Sequence, residues 1–174
     1  MPGGKVLKVF EYTPSADLIV RPARMGDAEE ITAVTLAAYS LRVKADPPYV
    51  ALSEGPEHVR EHLSLGGGIV AEAGGRVAGC IRWRVESPGI LLGYRLAVSP
   101  DFQRRGIGSR LLARLEGVAQ REECRQVHLH VRRTSPELMD MYARFGYSII
   151  IDNPEPEYNH PIYVVMMKRI VSGP

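Results

Sequence analysis

Between an apolar run, Ile90 to Val98, and the chain's most regular helical stretch lies Gln103-Arg104-Arg105-Gly106-Ile107-Gly108-Ser109. This segment constrains the fold more than any other. A helix leaves its first backbone N–H groups unpaired and pointing outward. Its dipole adds partial positive charge at the same place. Gly106 and Gly108 have no Cβ, so an anion can approach the backbone, and Arg104 and Arg105 add charge. The arrangement suits a pyrophosphate. It demands a strand, a tight turn and a helix packed back on a sheet. A Walker loop would need a Gly-Lys-Ser/Thr ending, which is absent. A dinucleotide fingerprint would need a third glycine where Leu111 stands, and an acid near His130 and Val131.

The rest of the chain supplies the sheet and its helices. Leu18 to Pro22 reads as a strand. Asp27 reads as a helix N-cap with Glu30 three residues on. Ile31, Val34, Thr35 and Ala38 share one face of that helix, which runs to about Ser40. Asp46-Pro47-Pro48 opens a loop, and a weaker helix covers about Glu57 to Leu65. Gly66-Gly67-Gly68 ends it. Ile69 to Ala73 and Arg76 to Val85 are strands joined by a Gly74-Gly75 hairpin. Val77, Ile81, Trp83 and Val85 alternate with Ala78, Cys80, Arg82 and Arg84, the pattern of a one-sided sheet. Ile90 to Val98 follows as a third antiparallel strand. The helix Gly108 to Glu122 carries the stripe Leu111, Leu112, Leu115, Val118 and Ala119. Val127 to Val131 is a strand. Ser135-Pro136 caps a helix whose apolar face is Leu138, Met141, Tyr142 and Phe145, and Gly146 stops it. Strands at Tyr147–Ile151 and Ile162–Arg169 flank a loop over Asn153 to Pro161. The order β-α-α-β-β-β-α-β-α-β-β predicts an α/β (α+β) domain on a mixed sheet, spanning 18–174, with 1–17 as an N-terminal strand or arm.

Composition narrows the class. The chain has 174 residues, 45% hydrophobic and 24% charged, as an ordinary globular domain does. No apolar run approaches the ~18 residues of a membrane span, and no signal-peptide core follows Met1, which predicts a cytoplasmic protein with no membrane partner. Cys80 and Cys124 read as buried small hydrophobes. Net charge is +2, but the stretch 87–121 holds six arginines against two acids, a net +4. That concentration suits an anionic ligand. Nucleic acid is disfavoured because no aromatics cluster among the arginines.

Leu96-Ala97-Val98-Ser99-Pro100, followed by Gln103-Arg104-Arg105-Gly106-Ile107-Gly108, resembles the acetyl-CoA motif of the GCN5-related N-acetyltransferases. Met141-Tyr142-Ala143-Arg144-Phe145-Gly146-Tyr147 resembles the family's second signature. The resemblance extends over about nine-tenths of the chain. It implies a single domain whose mixed central sheet splays between two parallel strands, Ile90–Val98 and Val127–Val131, with helices on its flanks. It also implies acetyl-CoA as cosubstrate and a primary amine as acceptor, with direct attack in a ternary complex. The backbone of Leu96, Ala97 and Val98 would pair with the pantetheine arm. The N–H groups from Arg104 to Ser109, in the segment that Gln103 opens and that contains Arg105, Gly106, Ile107 and Gly108, would hold the pyrophosphate. The backbone near Val98 would polarise the thioester carbonyl. Tyr142 would protonate the leaving thiolate, although a tyrosine on an apolar stripe is also an ordinary core residue.

Two positions depart from the family pattern. Leu91-Leu92-Gly93-Tyr94-Arg95 carries no acid where many members have one, and Ser135 stands where many have asparagine. The general base is therefore unassigned. Glu86 and His130 are the candidates, with a solvated turn residue and a strand-face histidine as the plainer readings, and a water chain could serve instead. The acceptor would enter near Lys44–Glu57 and Asn153–Pro161. Glu155, Glu157, Tyr158 and His160 of the second loop would suit a cationic amine. Two rival readings remain. One is a CoA-binding sensor without catalysis. The other is a zinc protease built on His58-Val59-Arg60-Glu61-His62 with Glu137 as a third ligand, against which the short helix argues and no metal is expected. Whether the chain forms a homodimer is open.

Overall fold

The computed structural model describes residues 18–42, 48–151 and 163–170. The expected arm at 1–17 and the loop at 153–161 lie outside these residues. In chain order the elements are β1 (Ile19–Pro22), α1 (Ala28–Ser40), α2 (Pro56–Leu65), β2 (Gly67–Ala73), β3 (Arg76–Ser87) and β4 (Ile90–Val98). They continue with α3 (Ile107–Arg121), β5 (Gln126–Arg132), α4 (Pro136–Arg144), β6 (Ser148–Ile151) and β7 (Tyr163–Arg169). The expected order of helices and strands is found. The described strands form one sheet, β1-β2-β3-β4-β5-β7-β6. Neighbours are antiparallel except β4 and β5, which run parallel.

Two apolar clusters cover the two faces. On one face α3 lays Leu111, Leu112, Leu115, Val118 and Ala119, the stripe read from the sequence, over Ile69, Ala71, Ile81, Leu91, Val127 and Leu129. Each fully buried leucine there contributes roughly 1.5–3 kcal/mol. Gly93 is required by this contact: a Cβ would stand 2.6 Å from Leu115 and 3.0 Å from Leu129. Tyr142 of α4 joins the same cluster, with Leu138, Met141 and Phe145 packed against it. On the opposite face α1 and α2 cover Val70, Val77, Cys80 and Ala97. Both cysteines are buried and free.

The sheet is therefore covered on both faces, which corrects the one-sided reading of β3. A bulge between Ala71 and Glu72 shifts the β2–β3 register. Arg82, placed among the outward set by alternation, is fully buried. The expected caps are also corrected. Asp27 precedes α1 but makes no side-chain cap; its carboxylate accepts from the Arg24 backbone N–H at 2.7 Å and from Arg21 at 2.8 and 2.9 Å. Glu30 instead accepts from the Val77 backbone N–H at 2.8 Å. Ser135 precedes α4 without capping it; its hydroxyl meets that of Tyr49 at 3.2 Å. No helix among the described residues is long and apolar enough to cross a membrane.

Candidate active site

Strands β4 and β5 pair only over Ile90–Gly93 and Gln126–Leu129. Beyond Gly93 and Leu129 they part. The arms of this fork are Tyr94–Val98 on one side and His130–Arg132 on the other. Ala97 and Val98 keep partners in β3, Cys80 and Gly79, while Leu96, Ala97 and Val98 are outside the ladder with β5. Their free edge lines the opening.

The glycine-arginine segment sits at the end of the β4 arm. A short 3-10 turn at Pro100–Phe102 leads into it, and α3 starts at Ile107. Arg104 has φ 60° and Gly106 has φ 75°, both left-handed. Backbone of this kind forms a concave nest of N–H groups. Glycine is the residue that takes the Gly106 conformation without strain. Gly108 faces open space, with nothing within 4 Å of where a Cβ would stand. Buried Ile107 anchors the helix start, while Arg104 and Arg105 are exposed and Ser109 is half-buried. Gln103 uses its side-chain amide to donate to the Val98 carbonyl at 3.2 Å, so it ties the loop to the fork. Along α3 a cleft of about 440 Å³ is lined by Ser109, Arg110, Ala113, Glu116, Phe145 and Lys168. Ser109 joins the loop to the cleft.

Tyr142 lies on α4, packed into the apolar cluster under α3. It is only 7% exposed, and its ring lies 6.1 Å from that of Tyr147. Burial raises its phenol well above the ordinary value. Tyr39 raises it further, whereas the Arg42 cation lowers it, so the hydroxyl senses the end of α1 on the far side of the sheet. Of the two candidate bases, His130 is the first β5 residue beyond the parallel ladder. Burial lowers its pKa, only partly countered by Glu86, which favours the neutral imidazole. Glu86 stands at the other end of the ladder. It is paired with Arg84 at 3.6 Å and level with Ile90 and Leu91, and its charge acts on His130.

A buried charge cluster that local sequence patterns did not disclose lies on the α1–α2 face of the fork. Glu54, in the turn before α2, is 8% exposed. One of its oxygens accepts from fully buried Arg82 at 2.6 Å; the other accepts from Arg95 Nε and Nη2 at 2.9 and 2.6 Å. Burial raises the Glu54 carboxyl pKa, but the two guanidiniums outweigh it and hold the group below its usual range. Arg82 Nη1 meets His62 Nδ1 at 2.8 Å, while Arg82 Nε has no partner among the described residues. Arg95 has φ 57°, at the irregularity where β4 leaves register with β3. Above it stand Tyr39 and Tyr49, edge to face at 5.2 Å, with Arg42 stacked 4.2 Å over Tyr39. Arg132 lies 3.9 Å over Tyr49 and donates to Tyr163 and to the Pro48 carbonyl.

The histidine pair of α2 is divided. His58 is exposed and accepts from the Gly55 backbone N–H at 3.2 Å, capping its own helix. His62 turns in to Arg82 and Tyr94. Among the described residues no three His, Cys, Asp or Glu side chains converge as metal ligands do.

Among the described strands the sheet opens at the parallel β4–β5 pair, with a helix N-terminus and nest at the opening. Residues 37–147 match the Acetyltransferase (GNAT) family, and the chain belongs to it. It is 32% identical over 82 residues, 47% of its length, to an acetyltransferase of Pectobacterium atrosepticum; the match spans 57% of that relative. A putative GNAT-family acetyltransferase from Desulfovibrio desulfuricans superposes with TM-score 0.71 at 19% identity, covering 89% of this chain and all of that one. N-acetylglutamate synthase from Neisseria gonorrhoeae, complexed with coenzyme A and N-acetyl-glutamate, gives 0.71 at 21% identity, covering 90% of this chain and 36% of that one.

Proposed function

We propose that the protein is an N-acetyltransferase that moves the acetyl group of acetyl-CoA to a primary amine by direct attack in a ternary complex. The observation that carries this reading is the fork: the free backbone edge of Leu96–Val98 leads to the nest and helix N-terminus of 104–109. Family membership and a fold neighbour complexed with coenzyme A support it.

The chain's own groups divide the work. The Leu96–Val98 edge pairs with the amide-bearing pantetheine arm as a strand would. Backbone N–H groups from Arg104 to Ser109 hold the pyrophosphate, and Arg104 and Arg105 add charge at the exposed rim. The N–H near Val98 donates to the thioester oxygen and stabilises the charge that develops there on attack. A neutral His130 at the fork accepts the proton that the ammonium acceptor must lose. The Tyr142 hydroxyl donates to the departing sulfur. A phenol held above ~10 donates uphill to a thiolate whose acid has pKa ~8.5. Arg42 eases that step by stabilising developing phenolate charge.

The test is amine-dependent release of free thiol from acetyl-CoA across a panel of amines, with acetyl-CoA binding followed by calorimetry. Thiol release that rises with the amine supports the reading. Tight binding with no thiol release from any amine would mark a CoA-binding sensor instead.

A further inference from the structure

The α1–α2 face of the fork has an excess of positive charge. Glu54 is one carboxylate shared by two guanidiniums, and both Arg95 contacts go to a single oxygen. Arg95 keeps its second terminal nitrogen uncommitted among the described residues and is 26% exposed. Its left-handed backbone costs of order 1–3 kcal/mol, which a structure retains only where something holds it. The Glu54 fork does so, and it aims the side chain toward Tyr39, whose hydroxyl senses the Arg95 charge. Arg42 makes no ion pair among the described residues. It lies flat on Tyr39, half-buried, and its charge reaches the Tyr142 hydroxyl. Arg42, 4.2 Å over the Tyr39 ring, and Arg95, held on Glu54 at 2.6 Å, thus both place their charge on the Tyr39 hydroxyl, whose ring packs edge to face with Tyr49.

We propose that the acceptor is an amine that carries a carboxylate, an amino acid, and that Arg42 and Arg95 hold this carboxylate while the amine faces the thioester. The proposal rests on the acetyltransferase reading above and narrows its substrate. A planar carboxylate accepts paired N–H donors from guanidinium at little reorganisation. The tyrosine rings exclude water and strengthen the contact. A polyamine or other purely cationic acceptor would have to enter against these charges. The expectation of a cationic acceptor, drawn from the acids at 155 and 157, is the competing outcome.

The experiment titrates each of the twenty amino acids, and its α-carboxamide, into the protein saturated with CoA, and follows thiol release from acetyl-CoA with the same panel plus putrescine. The amide keeps the shape and removes the charge. At least one amino acid should bind ~10–100-fold more tightly than its amide, the range of a charge-assisted contact. Arg42→Gln should erase most of that preference, and Arg42→Lys should restore part of it, with melting temperatures reporting that both fold. Equal binding of acid and amide, a preference unchanged in Arg42→Gln, or no amino acid binding at all overturns the proposal. Putrescine turnover in any of those cases leaves the acetyltransferase reading standing. Amino-acid binding lost in Arg42→Gln, without turnover, supports the carboxylate site and removes the acetyltransferase reading instead.

Discussion

Replacing Glu54 by glutamine should be among the most damaging single changes outside the apolar core. The side chain keeps its shape and loses its charge. Arg82 is fully buried and has the Glu54 oxygen at 2.6 Å, so it would be left as a buried cation without its carboxylate partner. Removing one partner of a buried pair typically costs ~3–5 kcal/mol, because the surviving charge has no water to return to. For a domain of this size that corresponds to a fall of roughly 6–20 °C in melting temperature. The control is Glu57→Gln, which removes the same charge from a pair with Arg60 whose carboxylate is 85% exposed; it should leave stability nearly unchanged. The pH dependence sharpens the test. Glu54 is held below its unfolded value of about 4.5, so its contribution is present above that pH and is lost as pH falls through the folded value. The gap between wild type and Glu54→Gln in urea unfolding should therefore be full at pH 7 and narrow progressively as pH falls below about 4.5. A loss under ~1 kcal/mol at pH 7, or a gap that does not narrow in acid, would refute the buried-cation argument.

Tyr142→Phe should lower kcat by ~10²–10⁴-fold with little change in acetyl-CoA affinity, and wild-type turnover at saturating acceptor would remove Tyr142 as the acid. Gly108→Val should weaken acetyl-CoA binding while leaving the melting temperature almost unmoved, since a Cβ there meets nothing in the free protein; unchanged affinity by calorimetry would contradict the pyrophosphate assignment. His62, His128 and His130 are each lowered by burial, so the unfolded chain takes up protons first, near pH ~6.5, and stability should decline as pH falls from there. A urea midpoint as high at pH 5.5 as at 7.5 would show these imidazoles to be as accessible in the fold as out of it.

What could be read from the sequence was what neighbours in the chain decide. The Gly106 turn, the leucine stripe of α3 and the strand order follow from local conformational preference and periodicity, and they are found where expected. Failures arose where a distant partner outcompeted a local one. Asp27 and Glu30 fit a capping pattern, but Arg21 and the Val77 backbone claim them. Ser135 fits another, yet Tyr49, 86 residues away in sequence, takes its hydroxyl. Arg82 alternates as an outward residue should, and only the helices laid over that face and a carboxylate 28 residues upstream explain its burial. No local signal marks Glu54, because a lone acid in a turn is what a solvated turn also looks like.

The short parallel ladder has a consequence for how the domain comes apart. Strand hydrogen bonding divides into one block, β1 to β4, and another, β5 to β7, joined by the pairs of Ile90–Gly93 with Gln126–Leu129 alone. Beyond that ladder the blocks are bound by α3, whose leucines rest on residues of both, and by the contacts of Tyr49 and Pro48 with Ser135 and Arg132. Each block can keep its own internal ladders when that helix lifts, so the chain has a natural seam between two cooperative units. The same helix begins at the nest. An anion held there would secure the helix, and through it the seam, making ligand occupancy a brake on the separation of the two halves.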